Sequence, residues 1–542
     1  MMTSKTPLAS PPKIVPESSP SFASSFVFVE SSTDTPKISR NLSRHSTVIH
    51  NSPNQADDQG SIFLPNEQTM AVVHNIKVLH PVGAFSEIVT VTNYRILLSN
   101  DILIPLASVL DIKSRQSASS LNIDIKTKDC RFFQFVCEDP SLNKAGFVKL
   151  LNSLAFENGV FTDSETSRKF SIHQELERLV AENPSFVVSE LNSDYSVCST
   201  YPSRFIVPKS ATREMILGAA KFRDKGRFPV LAWTGKSFGS VWRSSQPKSS
   251  LLNRSTDDEQ YLKSIGVMYI IDCRPMLNAY ANIANAGGVE SLGNYHEGIE
   301  LWFASIQNIH HVRDSWEKMF LLAQQHSGMV VASSGSQTSW LHGLEGTGWM
   351  DHMISILRAT SVLVEKVGSG LNVLCRCSHG LDRTPQVVSL GMVCLDGYYR
   401  TIEGFAVLIE KEWCHMGHRF ASRYSMGKAP TDETSPIFSQ WIDCVYQIVE
   451  QNRNAFEFTS KYLVWILAGM ISGRFRNFSA DCEKERNEIN SGNDIWETLW
   501  KHKAQFVNTN FVDTTATLII DYRACMMRVF SDVWLTPFRP II

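Results

Sequence analysis

A cysteine and an arginine six positions apart, Cys377 and Arg383, have the residue types and spacing needed to handle a phosphate group. The cysteine would supply a thiolate, and the arginine would supply paired hydrogen bonds to phosphoryl oxygens. A thiolate needs stabilisation near neutral pH. A tight loop that leads from a strand into a helix provides it, because free N–H groups and the helix dipole favour anions. The pair therefore indicates nucleophilic attack on a phosphate monoester.

The spacing alone is weak, because three segments of the chain place an arginine six residues after a cysteine: 198–204, 377–383 and 394–400. The first has no glycine and follows no apolar strand pattern. The third lies inside a predicted helix, where no anion-binding loop can form. The surrounding sequence therefore supports only the segment 377–383.

The residues around this segment fit a strand, a tight turn and a helix. Val373–Cys375 is an apolar run of strand type, and Gly380 allows the loop to turn sharply. Thr384 suits the N-cap of the following helix, and Pro385 suits its first helical position. Asp382 is predicted to be the general acid that protonates the leaving oxygen. A structural salt bridge to a nearby arginine is an equally weighted alternative.

The composition is that of a globular protein in which any anion site is local. The 542 residues are 43% hydrophobic and 20% charged, with a formal net charge of −2, so we expect no nucleic-acid partner. The eleven cysteines show no metal-ligand spacing, so we expect free thiols, no metal and no cofactor. No membrane-spanning run or secretory signal is evident, so we expect a cytoplasmic protein.

The chain divides into three parts by residue pattern. Residues 1–60 are rich in Ser and Pro and predict a disordered tail. Residues 61–160 contain short β-branched runs followed by an amphipathic helix over Asn143–Phe156, which predicts a small antiparallel sandwich or barrel. Residues 178–542 predict an α/β domain. Its predicted strands are 205–207, 230–232 and 267–271, and its predicted helices are 350–367, 384–395 and 436–450.

Several ordered blocks of sequence resemble the myotubularin family of phosphoinositide 3-phosphatases. The blocks are Trp242–Pro247, Ile271–Asn282, Ile306–Trp316, Ser339–Leu357, Asp396–Trp413, Gly417–Arg423 and Ser435–Phe458. The resemblance implies an α/β architecture: a large cysteine-phosphatase fold, with a central sheet flanked by helices, preceded by a small β-rich PH-GRAM domain.

The same resemblance implies an activity. It implies removal of the 3-phosphate from phosphatidylinositol 3-phosphate and phosphatidylinositol 3,5-bisphosphate through a cysteinyl-phosphate intermediate. The partners implied are phosphoinositide lipids at a membrane surface and further myotubularin chains, in homo- or hetero-association. The implied location is the cytoplasm, with peripheral association with endosomal membranes.

The resemblance also implies roles for individual residues. Cys377, Asp382 and Arg383 would be catalytic, as nucleophile, general acid and phosphate-binding cation. Arg419 and Arg423 would lie on one helical face and meet head-group phosphates. A turn or cap role for the asparagines below, and a solvated face for the two arginines, are the alternatives. The substrate-binding set is Asn282, Asn308, Ile309, Ser378, His379, Gly380, Leu381, Arg419 and Arg423.

Two loop positions depart from the family's active members, in which the loop reads Cys-Ser-Asp-Gly-Trp-Asp-Arg. His379 stands in place of the first acidic residue, and Leu381 in place of the tryptophan. We expect His379 either to lower the pKa of the thiol through its positive charge or to lose a hydrogen bond to a ring hydroxyl. We expect Leu381 to remove an aromatic wall. The predicted enzyme is therefore active but weaker or less selective.

Two other functions compete with this prediction. One is a catalytically weak or silent adaptor that binds phosphoinositide membranes and partner phosphatases. The other is a protein-tyrosine phosphatase, against which the blocks of lipid-phosphatase sequence argue. The segment Tyr424–Thr434 also lacks the Gly-Asp-Lys loop that the family usually has there, and this departure leaves the adaptor alternative open.

Overall fold

The computed structural model describes residues 63–536, apart from 81–82, 99–101, 118, 160, 162–170, 250–252, 282–286, 327–338 and 490–491. The predicted tail over residues 1–60 and the predicted substrate residue Asn282 lie outside the described residues. Helices and strands are mixed along the described chain, which confirms the α/β prediction. No helix within it is long and apolar enough to cross a bilayer.

The first part of the described chain is an antiparallel sheet of seven strands followed by one helix. The residues of Leu121–Thr127 alternate between buried and partly buried, as expected when one face of a sheet covers a core. The elements are β1 (Thr69–His80), β2 (Gly83–Thr92), β3 (Arg95–Leu98), β4 (Leu103–Pro105), β5 (Val109–Gln116), β6 (Leu121–Thr127), β7 (Phe132–Cys137) and α1 (Lys144–Phe156). The strands pair in the order β4-β3-β2-β1-β7-β6-β5 within one sheet.

The second part carries the candidate nucleophile and consists mainly of helices around two further sheets. Its elements are α2 (His173–Glu182), β8 (Phe186–Ser189), β9 (Phe205–Pro208), α3 (Arg213–Phe222), β10 (Val230–Thr234), β11 (Ser240–Ser244), α4 (Thr256–Ile265), β12 (Val267–Asp272), α5 (Met276–Ala281), β13 (Glu300–Phe303), α6 (Ile309–His326), α7 (Trp340–Thr347), α8 (Trp349–Gly368), β14 (Asn372–Arg376), α9 (Arg383–Leu395), α10 (Ile402–Ile409), α11 (Phe420–Tyr424), α12 (Ile437–Gln451), α13 (Ser460–Ile471), α14 (Glu483–Glu488), α15 (Ile495–His502) and α16 (Ser531–Trp534). The strands and helices predicted here lie within two residues of their observed bounds.

The central sheet has the strand order β10-β11-β14-β12-β13, with β14 in the middle. Strands β11, β14, β12 and β13 are parallel, so their carboxyl ends meet at one edge. Val373, Leu374 and Cys375 of β14 are fully buried, as expected for a central parallel strand. The loop that follows β14 therefore emerges at the edge where open α/β sheets bind their ligands.

Helix α9 begins one residue before its predicted start, so the prediction that Thr384 is its N-cap is wrong. Asp382 occupies the N-cap position, but its side chain makes no capping hydrogen bond because it is bound elsewhere. Pro385 is the third helical residue, still within the first turn, where its missing N–H costs no helical hydrogen bond.

A chain of buried ion pairs joins the strand ends beneath this edge. Arg376 of β14 pairs with Asp272 of β12 at 2.8 Å and also with Glu290. Glu290 in turn holds Arg223 at 2.7 Å, and all four side chains are fully buried. Burial would raise the pKa of Glu290, but the two arginines outweigh it and lower this pKa to about 2. Such a network is stable only while every charge keeps its partner.

Replacing Glu290 by glutamine should lower the free energy of unfolding by about 3 kcal/mol at pH 7, because it leaves two buried arginines without their shared carboxylate. The folded-state pKa of Glu290, about 2, lies below its ordinary value of 4.5. Its stabilisation is therefore present above pH 4.5 and is lost as the pH falls towards 2. In urea unfolding, the difference from wild type should shrink over that range.

Glu300→Gln is the matched control, because Glu300 is an exposed glutamate on the edge strand β13 of the same sheet. Equal unfolding free energies for the two variants at neutral pH would contradict the importance of the buried network.

Candidate active site

The loop between β14 and α9 curls around the sulfur of Cys377. The backbone N–H of Gly380 donates a hydrogen bond to this sulfur at 3.2 Å. Gly380 has a φ of +70°, and a Cβ there would lie 2.6 Å from the carbonyl oxygen of Ser244 at the end of β11. Only glycine therefore allows the loop to turn this tightly against the neighbouring strand.

The loop carbonyl groups are bound by donors from outside the loop. These bonds run from Gln246 N to Ser378 O (3.0 Å), from Arg227 Nη2 and Arg243 Nη2 to Gly380 O (3.1 and 2.9 Å), and from His418 Nδ1 to Leu381 O (2.9 Å). In the described part of the chain, no acceptor is found for the N–H groups of Ser378, His379, Leu381 and Asp382. These amides remain available to the oxygens of a bound anion.

The two arginines that bind Gly380 are fully buried, and the sequence analysis did not identify them. Arg243 extends from β11 and also pairs with Glu412 at 2.7 Å. Arg227 lies over the ring of Tyr201 at 4.2 Å and donates to the carbonyl oxygen of Met416 at 2.8 Å. The one available signal was the position of Arg243 inside an otherwise uncharged strand.

The surroundings of Cys377 favour its thiolate form. Burial alone would raise the pKa of the thiol, but Arg383 and hydrogen bonds from Thr384 outweigh it, so the pKa lies below its ordinary value. The Thr384 hydroxyl is buried with no other partner among the described residues, so it is available to the sulfur. Cys394, by contrast, lies inside α9, where burial raises the pKa of its thiol to about 12. Of these two, only Cys377 can be a nucleophile at neutral pH.

Arg383 is the cation of the loop that has no carboxylate partner. It donates to Ile306 O at 3.3 Å and to Ser378 Oγ at 3.4 Å. No described carboxylate lies within ion-pairing distance of its guanidinium group. Its charge is therefore available both to the thiolate and to a bound phosphate.

Asp382 forms the salt bridge that the sequence analysis gave as the alternative to a general acid. Both carboxylate oxygens accept hydrogen bonds from Arg423 at 2.9 Å, and His418 Nδ1 lies 3.4 Å from one of them. Burial would raise the pKa of Asp382, but Arg423 and His418 outweigh it and hold this pKa well below its usual range. In this state the residue is a carboxylate at neutral pH and can accept a proton.

The prediction that Arg419 and Arg423 share one helical face is wrong. Helix α11 begins at Phe420, so Arg419 precedes its first turn. Both arginines pair with Glu433, at 2.8 and 2.7 Å, and the side chain of Arg423 is only 5% exposed. Arg423 therefore faces inward to Asp382, while Arg419 remains at the surface with its charge shared by two carboxylates, those of Glu433 and Asp481.

Asn308 and Ile309 lie beside the loop, at the start of α6. The Asn308 Oδ1 atom accepts hydrogen bonds from the backbone N–H groups of His310 and His311 at 3.0 and 3.2 Å, so it caps this helix. The contact of Arg383 with Ile306, two residues earlier, holds this turn against the loop. The structure thus brings both predicted positions to the rim of the site and gives Asn308 a capping role there.

The two departing loop residues take different positions. Leu381 is 2% exposed, so its side chain packs inward and does not line the mouth. His379 is 47% exposed and forms an ion pair through Nδ1 with Asp224, which the sequence analysis missed. The groups that lower the pKa of Cys377 are Arg383 and Thr384, and His379 is engaged with Asp224 instead.

Comparison with known proteins places this geometry in context. Residues 153–487 match the model of the myotubularin-like phosphatase domain. The chain is 39% identical over 352 residues to the human phosphatidylinositol-3-phosphate phosphatase MTMR7, which covers 63% of this chain and 52% of the relative. It is 38% identical over 347 residues to the human phosphatidylinositol-3,5-bisphosphate 3-phosphatase MTMR6, covering 62% and 55%. The chain thus spans about half the length of these relatives.

Replacing Arg383 by methionine should raise the pKa of the Cys377 thiol, because it removes the positive charge that most favours the thiolate. Alkylation of Cys377 by iodoacetamide, followed peptide by peptide with mass spectrometry, should then require a higher pH, by on the order of one unit. Exposed Cys525 is the internal control and should react identically in both proteins. Superimposable pH profiles for Cys377 would show that Arg383 does not stabilise the thiolate.

Proposed function

The chain belongs to the family of myotubularin-like phosphatases, and we propose that it removes the 3-phosphate from phosphatidylinositol 3-phosphate and phosphatidylinositol 3,5-bisphosphate. The observation that carries this proposal is the buried thiolate of Cys377 next to unpaired Arg383 and free loop amides. The printed names of the relatives, which specify these two lipids, supply the substrate class. On this proposal residues 178–542 form a cysteine-phosphatase domain and residues 61–160 a PH-GRAM domain.

In the first step the Cys377 thiolate attacks phosphorus, the bond to the inositol oxygen breaks, and a cysteinyl-phosphate forms. Arg383 and the loop N–H groups bind the equatorial oxygens and stabilise the charge of the transition state. The leaving oxygen needs a proton. A phosphate dianion bound beside Asp382 raises the pKa of this carboxyl through like-charge repulsion, which makes it a proton donor only when substrate is present.

In the second step a water molecule attacks the cysteinyl-phosphate and releases inorganic phosphate. Asp382, held as a carboxylate by Arg423 and His418, is suited to accept the proton of that water. The contact with Arg423 also fixes the direction of the carboxylate, which is the requirement for a positioned base. Asp382 thus serves both steps, with its protonation set by the bound phosphate.

A group of exposed apolar side chains supports a membrane lipid as the substrate. Helix α5 follows the end of β12 at the same sheet edge as the loop. It exposes Met276, Leu277 and Tyr280, with Leu277 80% exposed. Apolar side chains beside a substrate mouth suit insertion into a bilayer interface better than recognition of a soluble phosphopeptide. We assign the protein on this basis to the cytoplasmic face of membranes, with endosomal membranes as the proposed location.

The adaptor function is the second candidate, and the loop departures His379 and Leu381 favour it. An adaptor would not require a depressed thiol pKa or an arginine kept free of carboxylates, and this chain has both. Homo- or hetero-association with other myotubularin chains is compatible with either function.

Wild-type protein should release phosphate from vesicles that contain either lipid, and Cys377→Ser should release none, because serine has no thiolate to attack phosphorus. A phosphotyrosine peptide should be a much poorer substrate for the wild type. Malachite-green detection of inorganic phosphate measures all three. Equal, negligible release by both proteins from every substrate would favour the adaptor, and faster release from the peptide would favour a protein phosphatase.

Asp382→Asn should form the cysteinyl-phosphate slowly and hydrolyse it more slowly still, since the amide cannot take a proton from water. Acid-quenched enzyme should therefore accumulate a phosphorylated Cys377 peptide, detected by mass spectrometry, while turnover falls about 100-fold or more. Wild type quenched in the same way is the control. Absence of both the phosphopeptide and turnover would restrict Asp382 to the first step.

A further inference from the structure

Asp224 and His379 form an ion pair at the mouth of the site, although 155 positions separate them in sequence. The pair lies at the surface, with the two side chains 24% and 47% exposed. It contributes nothing to the cradle around Cys377, which the loop amides, Arg383 and Thr384 provide. Its position beside the nucleophile, together with its accessibility, points to a role in recognising the rest of the substrate.

The main chain around Asp224 is tied directly to the loop. Asp224 N donates to Gln246 O at 3.0 Å, and Ser245 Oγ donates to Asp224 O at 2.8 Å. Gln246 N donates to Ser378 O at 3.0 Å, next to His379 in the chain. One short segment therefore holds both partners of the pair. The geometry is built into the fold rather than left to two free surface side chains.

We propose that Asp224 positions His379 as a specificity-determining residue, so that the site accepts head groups with a second phosphate on the ring carbon next to the 3-phosphate. This inference rests on the proposed function and names a further substrate class for that site: phosphatidylinositol 3,4-bisphosphate is its simplest member.

The hydrogen-bond assignment explains how the pair acts. The Asp224 carboxylate takes Nδ1–H, which leaves Nε2 of the imidazole for the substrate. Burial would raise the pKa of Asp224, but its hydrogen bond to His379 and the nearby charges outweigh it and lower this pKa, so the partner is a carboxylate. The other charged groups facing Asp224 are Lys225 and Lys248, both cations. A second phosphate is thus met by an N–H donor and positive charge.

The contrast with the family's usual loop supports the direction of the effect. An aspartate at this position would repel any anion beside the reacting phosphate, whereas an imidazolium attracts it. His379 is two residues from the nucleophile, so its ring reaches substituents next to the reacting phosphate rather than those across the inositol ring. The selectivity change therefore concerns the neighbouring ring position and not the distant 5-phosphate.

The test compares phosphate release from vesicles of three lipids: the 3-phosphate, the 3,4-bisphosphate and the 3,5-bisphosphate. In His379→Asp, the kcat/KM ratio of the 3,4-bisphosphate to the 3-phosphate should fall about tenfold, the scale of one charge-assisted contact. Asp224→Asn should lower the same ratio several-fold, and Asp224→Glu should restore it in part. The ratio for the 3,5-bisphosphate should stay constant, and Lys225→Gln controls for a loss of general positive charge.

A purely structural role for Asp224 would lower activity on all three lipids equally, which would overturn its role as a positioning residue. An unchanged 3,4-to-3 ratio in His379→Asp would overturn the inference as a whole, provided that thermal unfolding shows the variant folded. Both results leave the proposed function intact, since release from the 3-phosphate continues.

Binding separates the inference from the proposed function. The full-length Cys377→Ser protein should bind inositol 1,3,4-trisphosphate more tightly than inositol 1,3-bisphosphate in calorimetry. Adding His379→Asp should abolish this preference. If the wild type releases phosphate from no lipid, the proposed function fails, and the binding preference still decides the inference: its presence supports the selectivity and its absence overturns it.

Discussion

The carbonyl groups of the loop must be bound from outside before its amides can surround an anion. A backbone that turns its N–H groups towards one point exposes its carbonyl oxygens on the other side, where burial without a donor is costly. Here Arg227 and Arg243 bind Gly380, and His418 binds Leu381. The anion site thus depends on buried cations that never contact the anion.

That arrangement explains why so many charges lie beneath one sheet edge. Arg243 is acceptable in the interior only because Glu412 pairs with it, and Arg376 only because Asp272 and Glu290 do. Replacing one member of such a chain leaves its neighbour buried and unpaired. The parallel strands supply the geometry, since β11, β12 and β14 bring these residues to the same edge. The site is therefore specified by the sheet and its ion pairs together.

The sequence predicted what is local and missed what is distant. The strand, glycine turn and helix around Cys377 follow from residue type and spacing over about fifteen positions, and their bounds agree with the structure within two residues. The partner of Asp382 lies 41 positions away and that of His379 lies 155 away. Periodicity and capping preference describe neighbours along the chain, so neither could identify these contacts. The N-cap prediction at Thr384 failed for the same reason, because a distant arginine had already engaged Asp382.

The distant partners also change what the loop substitutions mean. Read as a lone residue, His379 adds a charge near the thiolate. Read with Asp224, it is one half of a pair with no net charge that presents a donor in a fixed direction. The effect on the nucleophile is then small, because a dipolar pair at the surface is screened more strongly than a single buried charge. The effect on a substituent touching Nε2 is large, because a directed hydrogen bond acts only at contact. The substitution therefore alters the choice of substrate more than the chemistry of the thiolate.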